Sequence, residues 1–130
     1  MYDRDAFSQW LGIRRLEDGP GFCSLEMDVR TEMVNGFGIA HGAITYALAD
    51  SALAFASNSR NKKSLVINTA VSFTAPVREA DFLTAIAEET NITNRLGTYQ
   101  ITVNRQDGAK VLLVTGTVFR KEELWFPGEE

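Results

Sequence analysis

His41-Gly42-Ala43-Ile44-Thr45-Tyr46-Ala47-Leu48-Ala49-Asp50-Ser51-Ala52-Leu53-Ala54-Phe55-Ala56-Ser57-Asn58 is the stretch on which the reading of this chain turns. From Ala43 to Asn58 it holds neither glycine nor proline, and it carries six alanines, the strongest helix former. A long helix over Ala43–Asn58 follows. Its apolar residues lie all round rather than on one stripe, so the helix is expected to be buried on most sides.

Working outward, the elements on either side read differently. Phe7, Trp10 and Leu11 fall at i, i+3 and i+4, which predicts a short helix over Asp5–Leu11 with Gly12 as its C-cap and that face against a sheet. Gly19-Pro20-Gly21 is a turn. Phe22–Arg30 then alternates, with Cys23, Leu25, Met27 and Val29 on one face and polar residues on the other, a strand with one wet face. Thr31–Gly42 reads as a glycine-rich loop. After a polar loop, Ser59–Ser64, four β-type segments follow: Leu65–Phe73, Asp81–Asn91, Thr93–Asn104 and Lys110–Arg120. Pro76 ends the first of these or marks an edge, and Asp107-Gly108 closes a hairpin. The order is helix, strand, long helix, four strands. That is an α+β fold, an antiparallel sheet wrapped around one long helix. A domain of this size does not easily cover such a helix alone, so a second copy of the chain is expected to help.

The 130 residues fit one domain, taken as 1–130, whose core at about 12–121 is the extent of the family resemblance described below, and 45% hydrophobic with 23% charged residues is ordinary for a folded globular chain. No apolar run is long enough to span a membrane, and Met1-Tyr2-Asp3-Arg4-Asp5 does not read as a secretory signal. A single cysteine, Cys23, excludes a disulfide framework and suits a reducing, cytoplasmic setting. It falls on the apolar face of its strand, as a buried structural thiol does. Thirteen Lys and Arg against 17 Asp and Glu give a net charge of −4, which argues against nucleic-acid binding. The tail from Leu124 to Glu130 is expected on the surface or frayed.

Asp50 is the most informative side chain. It sits mid-helix among Ala43, Tyr46, Ala47, Leu53, Ala54 and Ser57, where a carboxylate is costly unless it is hydrogen-bonded or lines a cleft. Two readings stand: a general base, or a carboxylate reaching solvent or a strand cation at the helix edge. His41-Gly42 comes next. The first N–H groups of a helix have no intrahelical partner, and the dipole is positive there. Gly42 lets a substrate oxygen approach them, as in an oxyanion hole, although a turn glycine and a loop histidine would read the same. The lone histidine supports no metal site. Gly42 and Asp50 are separated by about 12 Å along one helix, at 1.5 Å per residue. They cannot reach one carbonyl from the same chain. If both act, Gly42 of one protomer must meet Asp50 of another across a two-fold axis, which makes two equal sites. Arg60, Lys62, Lys63, and Arg95 with Gly97 are candidates for an anionic ligand, against the alternative of a solvated surface. No nucleophile elbow, P-loop or dinucleotide fingerprint is present.

Asn35-Gly36-Phe37-Gly38-Ile39-Ala40-His41-Gly42-Ala43, followed by Ala49-Asp50-Ser51-Ala52, resembles the hot-dog-fold acyl-CoA thioesterases, in their PaaI-like (phenylacetate-pathway) branch. Asn68–Pro76 and Thr98–Val103 resemble later strands of that branch. The resemblance implies a hot-dog fold, pairing of two units into a continuous sheet, and dimers that associate into tetramers. It implies hydrolysis of an acyl-CoA to free acid and coenzyme A, with no metal or bound cofactor. Carried over by position, the Gly42 N–H polarises the thioester carbonyl. Asp50 of the facing protomer activates water or attacks directly. Asn35 and His41 hold the loop and orient the nucleophile or the leaving sulfur.

Two departures matter. The common His-Gly-Gly is His41-Gly42-Ala43 here. Where many members place a Ser or Thr early on the next strand, this chain has Val66, with Ser64 two residues before it. A non-catalytic acyl-CoA-binding domain and a hydratase or dehydratase on the same fold are the alternatives, and fold alone does not separate them. Phe37, Tyr46, Phe55 and Phe73 could line an aromatic acyl pocket or could be core. Family resemblance suggests a phenylacetyl or hydroxyphenylacetyl group, with medium-chain acyl groups open.

Overall fold

The computed structural model describes residues 2–128; Met1, Glu129 and Glu130, at the ends of the N-terminal and tail readings, lie outside the described residues. Helix α1 (Ala6–Leu11) is capped by Asp5, whose side chain accepts from the Ser8 N–H, and it stops at Gly12 in the left-handed conformation, φ +76°. The expected buried face is corrected in part. Leu11 and Ser8 point inward, but Phe7 and Trp10 are each 55% exposed and stack on one another. In a helix this short, the i, i+3 pair Ser8 and Leu11 takes the core-facing line, because Ser8 has a hydrogen-bond partner there.

The sheet has six strands rather than the five the sequence pattern yields. Strand β1 (Arg14–Gly19) precedes β2 (Phe22–Asp28), followed after α2 (Gly42–Ser57) by β3 (Lys62–Phe73), β4 (Phe82–Ile92), β5 (Leu96–Arg105) and β6 (Lys110–Leu124). The strand order is β1-β2-β4-β5-β6-β3, and every pairing is antiparallel. β1 escapes pattern reading because Arg14, Arg15, Glu17 and Asp18 leave it no apolar face. Its residues are exposed, and Arg14 bonds Glu26 (2.7 Å) and Asp28 (3.1 Å) on β2. Charged residues of this kind protect an edge strand from further pairing.

β2 behaves as its alternation predicts, with Cys23, Leu25 and Met27 fully buried. Burial pushes the Cys23 thiol up to about 12, so it is inert at neutral pH. The β-type segments after α2 are all present with shifted ends. β3 begins at Lys62, inside the expected loop. β5 begins at Leu96, because Thr93 turns back to bond the Leu96 carbonyl (2.8 Å). The Asp107-Gly108 hairpin is as read, with Gly108 at φ +84°.

α2 crosses the sheet and packs mainly on β2, β4 and β5, while β3 sits at the far edge beyond β6. Leu48, Ala52, Leu53 and Ala56 on α2 meet Leu25, Leu83, Ala85, Ile101, Val103 and Leu112 from the strands, all fully or almost fully buried. Contact with β6 is close. A Cβ on Gly116 would come 2.7 Å from Leu53 Cδ2, so only glycine fits beneath that leucine. One stripe of α2 stays open in the single chain: Gly42, Ala43 and Asp50 are exposed, and Tyr46, Ala47 and Ala54 are half-buried. β3 beside it is open as well. Leu65 is 56% exposed, Ile67 59% and Phe73 61%.

At the other end of α2, two asparagines fasten the chain's last strand. Asn58 Oδ1 accepts from Trp125 Nε1 (2.9 Å), and Asn61 Oδ1 accepts from the Phe126 N–H (2.8 Å). As far as Phe126, the expected surface tail is therefore on the surface and tied down. No helix among the described residues is long and apolar enough to cross a membrane.

Candidate active site

The loop before α2 is built around Asn35. Its Oδ1 accepts from the backbone N–H groups of Phe37 (2.9 Å) and Ile39 (3.2 Å), and its own N–H donates to the Ile39 carbonyl (2.8 Å). Asn35 thus replaces the bonds that so short a loop cannot make with itself. Ala40 N–H then bonds Val77 O (2.7 Å), and His41 N–H bonds Met33 O (3.0 Å). The chain is clamped on both sides of the point where the helix starts.

His41 stands at the N-cap position with φ −56° and ψ 137°. Its carbonyl accepts from Ile44 N–H (2.9 Å), and its exposed ring caps nothing. Gly42 opens α2, and its N–H donates to no group among the described residues. An unpaired N–H at the positive end of a helix is a preorganised donor for a developing negative charge. The Phe73 ring lies directly over Gly42, and a Cβ there would come 3.0 Å from Phe73 Cε1. Gly42, Thr45 and Phe73 face a pocket of about 460 Å³ whose other walls are mostly apolar, among them Ile39, Ala40, Ala75, Pro76, Val77 and Val111.

Asp50 lies on the open stripe of α2, two turns beyond Gly42, and forms no hydrogen bond or ion pair with the described residues. The surrounding protein desolvates its carboxylate and raises its pKa above the usual aspartate value, and the negative charge of Asp5 adds to the shift. In the single chain it reaches solvent at the edge of α2, as one of the two readings has it, and no strand cation among the described residues pairs with it.

The candidate anion contacts lie at the opposite end of β3 from Phe73. Arg60 forms a two-point ion pair with Glu89 (2.8 and 2.9 Å). Lys62 Nζ donates to Asn94 Oδ1 (2.7 Å), Lys63 to Glu123 (2.8 Å) and Arg95 to Glu122 (2.8 Å). Gly97 is buried and faces Tyr99 and Val118. Of the aromatic candidates, Phe73 is at the Gly42 pocket and Phe37 is 89% exposed on the preceding loop. Tyr46 bonds Thr69 through its hydroxyl (3.0 Å), and Phe55 is buried against the Tyr2 ring at 5.9 Å. The four do not gather into one pocket within the chain. Ser64 is committed elsewhere: its hydroxyl donates to the Lys62 carbonyl (3.2 Å) and its N–H and carbonyl bond the Asn58 side chain (2.9 and 3.3 Å), while Val66 is 38% exposed. No group of three or more His, Cys, Asp or Glu side chains among the described residues is placed to hold a metal ion.

Sequence reading missed one connection next to Asp50. Asp5 Oδ2 accepts from Ser8 Oγ (2.7 Å), and Ser8 Oγ is 2.8 Å from Ser51 Oγ. A buried serine on an alanine-rich helix demands a partner, and that demand was the available signal.

Residues 37–112, more than half of the chain, match the thioesterase superfamily. The acyl-coenzyme A thioesterase PaaI of Escherichia coli is 32% identical over 120 residues, covering 92% of this chain and 86% of that protein. The solved structure of the E. coli PaaI protein from the phenylacetic acid degradation operon superposes with a TM-score of 0.94, at 31% identity, over 95% of this chain and 90% of that one. A mutant structure of the phenylacetic acid degradation protein PaaI from Thermus thermophilus gives a TM-score of 0.86 at 37% identity, over 90% of this chain and all of that one. The expected hot-dog fold is therefore the observed one, and the chain belongs to the thioesterase superfamily as a PaaI-like hot-dog thioester hydrolase.

Proposed function

We propose that this protein hydrolyses acyl-CoA thioesters, with an arylacetyl group as the preferred acyl part, in a site shared by two copies of the chain. The carrying observation is the unpaired Gly42 N–H at the start of α2, opening on a mostly apolar pocket, with the unpartnered Asp50 too far along the same helix to reach the same carbonyl.

In this reading the thioester oxygen accepts from the Gly42 N–H. Asp50 of the second copy takes a proton from water, whose oxygen attacks the carbonyl carbon. The tetrahedral intermediate collapses by breaking the C–S bond, and the coenzyme A sulfur leaves with a proton. His41, exposed beside Gly42, is placed to orient that sulfur, and Asn35 holds the loop. Direct attack by Asp50 would use the same two groups through an anhydride. Single turnover in ¹⁸O-water separates the two routes, because only the anhydride route can put label into Asp50. Neither route requires a metal or bound cofactor.

Pairing of two copies is supported by the open edge of β3 and the open stripe of α2 beside it. An unpaired strand edge with exposed Leu65, Ile67 and Phe73 is a template for another strand. Two β3 edges meeting antiparallel about a two-fold axis would bring Lys62 of one copy toward the Phe73 end of the other. That makes Lys62 the best placed of the candidate phosphate contacts, while Arg60 is already neutralised by Glu89. Association of such dimers into tetramers, in a cytoplasmic setting, is part of the same proposal. The arylacetyl preference is supported by the Phe73 ring over Gly42, the pocket of about 460 Å³ and the likeness to proteins of phenylacetic acid degradation.

The test is thiol release from a panel of acyl-CoAs by the purified protein. Faster turnover of arylacetyl-CoA than of straight-chain acyl-CoA is expected. Broad turnover would overturn the substrate preference alone. Binding without turnover would replace hydrolysis with acyl-CoA sensing.

A further inference from the structure

We propose that Asp5 is a positioning residue for the reaction, a fixed negative charge that α1 brings beside Asp50 and that tunes its strength as a base. This rests on the reading of Asp50 as the base. Asp5 is not a loose surface carboxylate. One oxygen accepts from the Ser8 N–H (3.0 Å) and the other from Ser8 Oγ (2.7 Å). A serine hydroxyl has a single proton, and that of Ser8 is given to Asp5. Ser8 Oγ can therefore only accept from Ser51 Oγ, 2.8 Å away. Ser8 is 1% exposed and Ser51 7%, so the Ser8–Ser51 link is a buried clamp from α1 to α2, with the half-buried Asp5 at its outer end. It ends one residue from Asp50.

The charge environment isolates the effect. Asp50 is the only charged residue on α2, and Tyr46, the other titratable group there, turns its hydroxyl to Thr69. Among the strands packed on α2, Glu26 and Asp28 of β2 are engaged by Arg14, and Glu89 of β4 by Arg60. Arg15 of β1 lies over the Phe55 ring and pairs with Asp18. Asp5 is the charged neighbour that disfavours ionisation of Asp50, in addition to desolvation. A like charge makes a carboxylate a stronger base once ionised, at the cost of a higher pH at which it becomes ionised.

The experiment is the pH dependence of kcat/KM for Asp5→Asn and Asp5→Ser. Both replacements are good N-caps, so α1 keeps its start while the charge is lost. The acid limb is expected to move to lower pH by about half a unit, as one partly screened charge at short range would give. Asp5→Glu, which keeps the charge, should restore the position of the limb. An effect on fold alone would lower the melting temperature without moving the limb. A limb unmoved in both charge-removing variants overturns the role of Asp5. The underlying reading fails separately and visibly, if Asp50→Asn retains turnover.

Discussion

The ring of Phe73 and the backbone of Gly42 are in such close register that one added methyl group at residue 42 would meet the ring edge at 3.0 Å. The Phe73 ring therefore keeps its present position over the start of α2 only because residue 42 lacks a side chain. Gly42→Ala should lower kcat on acyl-CoA by at least ~10-fold, since losing a preorganised oxyanion donor costs 10²–10³ and this change displaces it without removing it. Melting should shift little, because Phe73 is exposed and can rotate away. A variant as active as the parent would show that the missing side chain at residue 42 is not what lets the carbonyl oxygen reach this N–H.

Asp50→Asn should lower kcat by at least ~10²-fold, within the range for loss of a general base. Stability should move the other way. A carboxyl whose folded-state pKa is raised holds its proton more tightly in the native state than when unfolded. Unfolding free energy therefore falls as pH rises through the window between the unfolded value and the raised one. Above that window the ionised Asp50 is a fixed penalty, and below it the penalty is gone. Asp50→Asn should thus melt at a higher temperature than the parent at pH 7 and equal it at pH 3. Melting curves at the two pH values, together with circular dichroism, check both parts.

Loss of the Asn35 side chain should act at a distance. Asn35→Ala leaves the Phe37 and Ile39 N–H groups without their acceptor, at a cost of about 1–2 kcal/mol in stability. The larger effect should be on kcat, because the loop that aims His41 and Gly42 loses its centre. Asn35→Asp keeps an acceptor and should recover the melting temperature. If Asn35→Ala turns over normally, the loop does not need this support.

Ile67 interrupts the regular register of β3 with β6 and is 59% exposed on the open edge. Ile67→Lys should block strand pairing between two copies, since an edge lysine is the usual device against it. A monomer by light scattering, folded by circular dichroism and without thioesterase activity, is the expected result. An active monomer would place the whole site in one chain.

α2 and most strands were legible because the alanine-rich run and the period-two patterns are local signals. β1 was not, since Arg14, Arg15, Glu17 and Asp18 look like a charged loop until their pairing with β2 is known. The outward turn of Phe7 and Trp10 was equally hidden. Periodicity shows which residues share a face, not which face is inward, and here a buried hydrogen bond between Ser51 and Ser8 decided it. Of the candidate site, Gly42 and Asp50 stood out by residue type and spacing, whereas Asn35 entered only through the family resemblance. The clamp through Asp5 was not, because it joins residues far apart in the chain.

β3 has one neighbour in the sheet, β6, which is the last strand of the chain. During synthesis, residues 62–73 leave the ribosome well before residues 110–124. The strand carrying Leu65, Val66, Ile67, Val71 and Phe73 thus waits without a partner on either side while β4 and β5 assemble. Non-local pairing of this kind is slow and prone to aggregation. Truncation before Leu112, the first residue of β6 to pair with β3, would strand β3 in that state permanently, so nonsense or frameshift changes there should yield insoluble protein rather than a shortened enzyme.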